Sequence, residues 1–240
     1  MEKVPLPLRA GCSGKRILFP VLVMIMLFIK ENPTSAESNS QKESADLEYG
    51  NPIIFVTAYF FFNLLWGVLN FDIAVHIAER GFGGAGVSGT IVSIETLGSM
   101  IASLVFGVCF SKLGRSYSII PWAIFALGYA ALYFSPNVII TTLIAVLMAG
   151  VYGGGQSFYI TWLPMISKAE DMEKYMGYLV AACGIGFFAS TYLVTGLQQI
   201  LGTDTVTSTF PLLAGLAAVL LLLSIISTRN YYKATLKNAA

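Results

Sequence analysis

The sequence holds one carboxyl group deep inside an oily stretch. Glu95 stands in the run VSIETLGSM, with Ser99 one helical turn on. An unpaired carboxylate in hydrocarbon is held neutral, which is the behaviour a proton carrier requires. Glu95 is therefore either a carrier of a coupling proton, a contact for a cationic substrate, or a protonated and hydrogen-bonded structural group. Asp72 and His76 stand four residues apart, with Glu79 and Arg80 just beyond. Histidine changes charge near neutral pH, so this pair is either a titratable outer gate or a marker of the water boundary. Asn63, Trp66 and Asn70 fall at i, i+3 and i+7, which places them on one helical stripe. Gln156, Tyr159 and Trp162 form a second stripe after the glycines 153–155. Each stripe faces either a solute path or a neighbouring helix, with the aromatics also suited to an interface belt.

Other chemistries lack their residues. No HExxH metal pair, G-x-S-x-G elbow or phosphate-binding loop is found, so neither an enzyme nor an ATP-driven pump is expected, and no metal or cofactor is implied. The three cysteines, Cys12, Cys109 and Cys183, show no paired or metal-type spacing and read as small hydrophobes. A formal net charge of +1 gives no argument for nucleic acid.

Composition explains why polar groups are so few. Of 240 residues 56% are hydrophobic and 11% charged, less than half the roughly 25% of charged residues in a soluble domain. The bilayer must therefore be part of the solvent. Six runs are long enough to cross about 30 Å of hydrocarbon as helices: residues 52–75, 87–110, 117–134, 138–163, 175–197 and 207–227. The separators ERGFGGAG, SKLGRS, SPN, SKAEDMEK and LGTDTVTS carry turn chemistry. The expected architecture is an all-α membrane bundle of six transmembrane helices over 52–228, followed by a cytoplasmic tail, 229–240.

Ahead of the bundle lie an amino-terminal segment, 1–29, and a polar linker, 30–51. The apolar run 17–29 is too short to cross alone at 1.5 Å per residue. It reads as a short helix, either a signal-like core or the end of a longer helix. The linker, rich in Glu, Ser and Asn, cannot bury enough to offset its ordering entropy and is expected to be flexible.

Loop charge sets the expected orientation. With the linker in the cytosol, Lys112, Arg115, Lys168, Lys174, Arg229 and Lys233 all lie inside, and Arg80 alone lies in the outer loops, a strong positive-inside asymmetry. An integral multi-pass protein of the cell membrane follows.

The stretch GVCFSKLGRS, residues 107–116, resembles the G-x-x-x-D-[RK]-x-G-[RK]-[RK] signature of the major facilitator superfamily. Gly107, Lys112, Gly114 and Arg115 match; Ser111 replaces the Asp and Ser116 the last basic residue. With six spans, the linker and the run AGVYGGGQSFYITWLP, the chain resembles the carboxy-terminal half of such a transporter. The two glycines are expected to allow close helix approach and a tight inner turn. The two cations are expected to bind helix-end carbonyls, as a latch or as a plain topology signal. The resemblance implies secondary-active transport of a small solute by alternating access. One half supplies one wall of the path, so a second six-helix half or a second copy is the expected partner. The alternative is a non-transporting membrane protein, a fragment or a regulatory partner of an intact transporter.

Overall fold

The computed structural model describes residues 52–239, with side chains described as far as residue 233. The amino-terminal helix and the linker expected over 1–51 lie outside the described residues. Among the described residues all the regular elements are helices: α1 (Pro52–Glu79), α2 (Ala85–Leu113), α3 (Ile119–Tyr133), α4 (Val138–Ile166), α5 (Met172–Leu201) and α6 (Phe210–Ala239). Short 3-10 turns cover Gly114–Ser118, Ala169–Asp171 and Thr207–Thr209.

Local chemistry sets the ends. Asn137 caps α4 by accepting from the Ile140 backbone N–H at 3.0 Å, satisfying one of the orphan donors of the first turn. Gly114 ends α2 with φ 51°, a conformation that side-chain-bearing residues resist. The tight turn expected there is present.

Five segments are long and apolar enough to cross a membrane: Pro52–Glu79, Ala85–Tyr133, Val138–Ile166, Ala169–Leu201 and Thr207–Lys233. The sequence reading expects six. The difference arises at 85–133, where the expected second and third spans form one helical run of 49 residues, interrupted only by the 3-10 turn. Within it α3 has 15 residues and reaches about 22 Å by itself, less than the hydrocarbon thickness. The other helices run past their expected limits, and α6 continues through the stretch read as a tail.

Side-chain contacts show which loops share an end. Glu79 reaches the backbone of Val206 and Thr207, and Arg80 donates to the carbonyl of Tyr133. The 80–84, 134–137 and 202–206 connections therefore gather at one end. At the other, Arg115 bonds Ser227, Trp162 meets Tyr231, and Ile54 and Ile166 share a cavity. The six helices thus run alternately between two ends. The second end carries Lys112, Arg115, Lys168, Lys174, Arg229 and Lys233; the first carries Arg80.

The most extensive pairings are α1 with α5, α2 with α4, and α3 with α6. Exchanging α1 with α4, α2 with α5 and α3 with α6 maps this set of pairs onto itself. Phe62, Leu65, Phe125, Tyr129, Met148, Phe158 and Leu213 fill the core. Outside it stand large apolar side chains such as Leu104, Phe134 and Ile200, exposed by 78, 77 and 79%. Water would penalise such a surface, whereas acyl chains accept it. The fold is therefore that of an integral multi-pass membrane protein.

Candidate functional site

Asn63 is the hub of a polar cluster midway along α1. It is fully buried, and its amide nitrogen donates to the Tyr59 carbonyl at 2.8 Å. Its Oδ1 accepts from Gln156 Nε2 at 3.0 Å, from the Tyr152 hydroxyl at 3.2 Å and from Cys183 Sγ at 3.2 Å. Gln156 also donates to the Tyr152 hydroxyl, and the Tyr59 hydroxyl donates to Gln156 Oε1. Three helices, α1, α4 and α5, thus place five polar side chains on one centre. Tyr152, Gln156 and Cys183 remain half-buried, so the cluster is not sealed on their side.

Aromatic rings hold it in place. Trp66 stacks on Tyr152 with centroids 4.3 Å apart and planes 11° from parallel. Phe62 stacks on the same ring at 5.3 Å. Flat rings in contact fix the hydroxyl direction of Tyr152 better than a flexible side chain would.

Close helix approach depends on the glycines of α4. A Cβ on Gly153 would strike the Ser99 carbonyl, one on Gly154 the Tyr117 hydroxyl, and one on Gly155 the Phe62 ring. Gly186 of α5 similarly accommodates the backbone of α1, where a Cβ would lie 2.8 Å from the Phe60 carbonyl oxygen. Small residues let backbones meet where hydrophobic drive between helices is weak. Gly107 differs: among the described residues nothing lies within 4 Å of its Cβ position, and it faces outward. Its expected role in helix approach is not realised, because that face of α2 is turned away from the bundle.

Glu95 is 1% exposed, and neither carboxyl oxygen has a hydrogen-bond partner among the described residues. It stands one turn from Gly98 and Ser99, which pack on α4 at Val146 and Gly153. An ionised, unpaired group at such a place is costly.

Asp72 and His76 lie toward the end bearing Arg80. The pair is not closed on itself there: His76 Nδ1 bonds Thr207 Oγ1 at 2.7 Å, and the imidazole packs at 5.0 Å from the Phe210 ring. Buried Asp72 Oδ2 and His76 Nε2 have no partner among the described residues. Glu79, not placed in the gate by sequence, does more. Its carboxylate accepts from Val206 N at 2.6 Å, Thr207 N at 3.0 Å and Thr207 Oγ1 at 2.7 Å. It caps the 3-10 turn that leads into α6.

The remaining sequence candidates separate. Asn70 is half-buried, one helical repeat from Asn63. Tyr159 is buried outside the amide cluster, between the Phe55 ring at 4.8 Å and the Tyr59 ring at 4.9 Å. Lys112 is exposed. Among the described residues Arg115 does not bind a helix-end carbonyl as expected. Its guanidinium donates to Ser227 Oγ at 2.9 Å and lies 4.9 Å from the Tyr231 ring centroid and 5.8 Å from that of Trp162. The turn at Gly114 directs it inward, to rings rather than to a helix end.

Sequence reasoning missed Tyr59, Tyr152 and Cys183. The first two had a signal, since each stands one helical turn from a member of the cluster: Tyr59 from Asn63 and Tyr152 from Gln156. Cys183 had none, because a thiol among small apolar residues reads as packing. No family model, curated protein or solved structure matches the chain.

Proposed function

We propose that this chain forms one six-helix wall of a secondary carrier of the major facilitator type, moving a small polar solute by alternating access. The Asn63 cluster is the observation that carries the reading. It lies near the middle of the bundle and draws on three helices. Its tyrosine, glutamine and cysteine members keep one side open. Polar groups at membrane depth line cavities or bind one another, and this cluster is arranged for both.

The pairing pattern supports the same reading. A set of helix contacts unchanged by exchanging the first three helices with the last three is what an inverted three-plus-three repeat produces. Such repeats are nested within each half of major facilitator transporters. The 107–116 loop adds the motif resemblance, and the basic end fits the cytosolic face of a cell membrane. Glu95, buried beside the α2–α4 contact, is the candidate coupling group. The other wall is a second half or a second copy of this chain.

The test is water access to the cluster. The chain is made with Cys183 as its sole cysteine, by Cys12→Ser and Cys109→Ser, and reconstituted into vesicles. A charged, membrane-impermeant methanethiosulfonate should modify Cys183 at least tenfold faster than a cysteine placed at lipid-facing Leu104. Equal or slower modification of Cys183 overturns the pathway and leaves a non-transporting membrane protein.

A further inference from the structure

A cavity of about 350 Å³ opens toward the basic end, with the Tyr159 ring between it and Tyr59 of the Asn63 cluster, among the start of α1, the start of α3, the end of α4 and the middle of α6. Its polar lining is one cation, Arg115, and five hydroxyls, those of Thr57, Ser118, Tyr159, Ser224 and Ser227; the three serines stand on the side of Arg115, whose guanidinium bonds Ser227. Its walls are apolar, with Phe61, Trp122 and Leu220 among them. Ile54 and Leu223, at its rim, are exposed by 68 and 56%, as expected of residues that meet acyl chains.

Arg115 has neutral company among the described residues. Its guanidinium bonds the Ser227 hydroxyl and lies near the rings of Tyr231 and Trp162. The titratable groups that bear on it are Tyr231, Tyr232 and Tyr159, and no carboxylate is among them. Ser111 stands where the resembled motif carries an aspartate, so the loop supplies no anion at that position. A cation drawn into an apolar crevice without an anion is an incomplete pair.

We propose that this crevice binds the head of an anionic phospholipid, with Arg115 and the three serine hydroxyls on the phosphate and the first acyl methylenes along Phe61, Leu220 and Leu223. The chemistry fits each part. A guanidinium presents a fork of donors that matches phosphate geometry. The hydroxyls already exchange bonds, Ser118 with Ser224 at 3.1 Å, and each retains further donor or acceptor capacity. The volume lies near the lower limit for small-molecule sites, about 300 Å³, which suits a headgroup whose chains remain in the bilayer. A freely soluble anion would leave the apolar walls wet. In the orientation that the positive-inside asymmetry predicts, the basic end meets the leaflet that is rich in anionic lipid. This inference does not depend on the carrier reading, because it requires only the cavity and the orientation.

Native mass spectrometry of the purified full chain, titrated with phosphatidylglycerol or phosphatidylcholine of matched chains, tests it. One phosphatidylglycerol should be retained at a concentration at least tenfold lower than phosphatidylcholine. Arg115→Gln should abolish that preference, and Lys112→Gln, which changes an exposed cation nearby, should leave it intact. Ser224→Leu, which fills the crevice and keeps the charge, should also abolish it, and this variant decides the matter if Arg115→Gln does not fold. Equal retention of the two lipids overturns the proposal, as does an unchanged preference in Ser224→Leu. Displacement of phosphatidylglycerol by equimolar glycerol 3-phosphate would show a soluble-phosphate site instead and overturn it too.

Discussion

Gln156 of α4 and Asn63 of α1 share a hydrogen bond of 3.0 Å near the middle of the bundle, from the Gln156 amide nitrogen to the Asn63 carbonyl oxygen. The same oxygen takes the Tyr152 hydroxyl and the Cys183 thiol. One buried amide therefore ties three helices that otherwise present apolar surface to one another. Where helices gain little from hydrophobic drive, such bonds and close packing decide which faces meet.

Removing the hub should loosen all three helices. Asn63→Leu leaves Gln156, Tyr152 and Cys183 short of a common acceptor. Individual interhelical bonds in membranes average about 0.6 kcal/mol, so a loss of roughly 1–2 kcal/mol is expected. Cys183→Ala removes one weak donor and should cost less than half as much. Thermal unfolding in detergent compares the two; equal melting shifts would remove Asn63 from the centre of the cluster.

Two glycines with different surroundings make a paired prediction. Gly154→Ala puts a methyl on the Tyr117 hydroxyl and should destabilise by about 1–3 kcal/mol through overpacking. Gly107→Ala meets open space and adds helix propensity, so it should be neutral or stabilising by up to about 1 kcal/mol. Chemical denaturation of both variants in mild detergent measures the contrast, and similar losses at the two sites would contradict the packing described.

The Glu79 cap should matter more than its exposed position suggests. Glu79→Ala removes the acceptor for two backbone donors and the Thr207 hydroxyl. Loss of a charged cap costs about 1–2 kcal/mol. Hydrogen exchange at Val206 and Thr207 should rise in this variant while exchange in the α2–α4 contact stays unchanged.

Glu95 invites a trade between stability and transport. Glu95→Leu removes two buried oxygens that lack partners, so it should raise the melting temperature. The same change should abolish solute flux that follows an imposed pH gradient, and Glu95→Gln should uncouple flux from that gradient. A Glu95→Gln protein with full gradient dependence would eliminate the proton role.

Side-specific labelling checks the orientation. With cysteines placed at exposed Asp204 and exposed Lys112 in turn, an impermeant maleimide added to intact cells should label Asp204→Cys and spare Lys112→Cys until the membrane is opened. The reverse pattern would invert the molecule.

The amino-acid order by itself determined the solvent and the helices. Long apolar runs broken by glycine, proline and charge have few other ways to satisfy their backbones in hydrocarbon, and helices formed close to where those runs stand. The basic residues could likewise be assigned to one end by counting along the chain. Tertiary structure alone decided the partners. Asn63 and Gln156 are 93 residues apart, and no local pattern says that they meet or that Cys183 joins them. His76 is spaced for Asp72 and bonds Thr207 instead, since burial against Phe210 turns the ring toward α6. Gly107 and Gly154 look alike in sequence, but one faces open space and the other a tyrosine hydroxyl, because which face of a helix is covered depends on the helices that arrive from elsewhere.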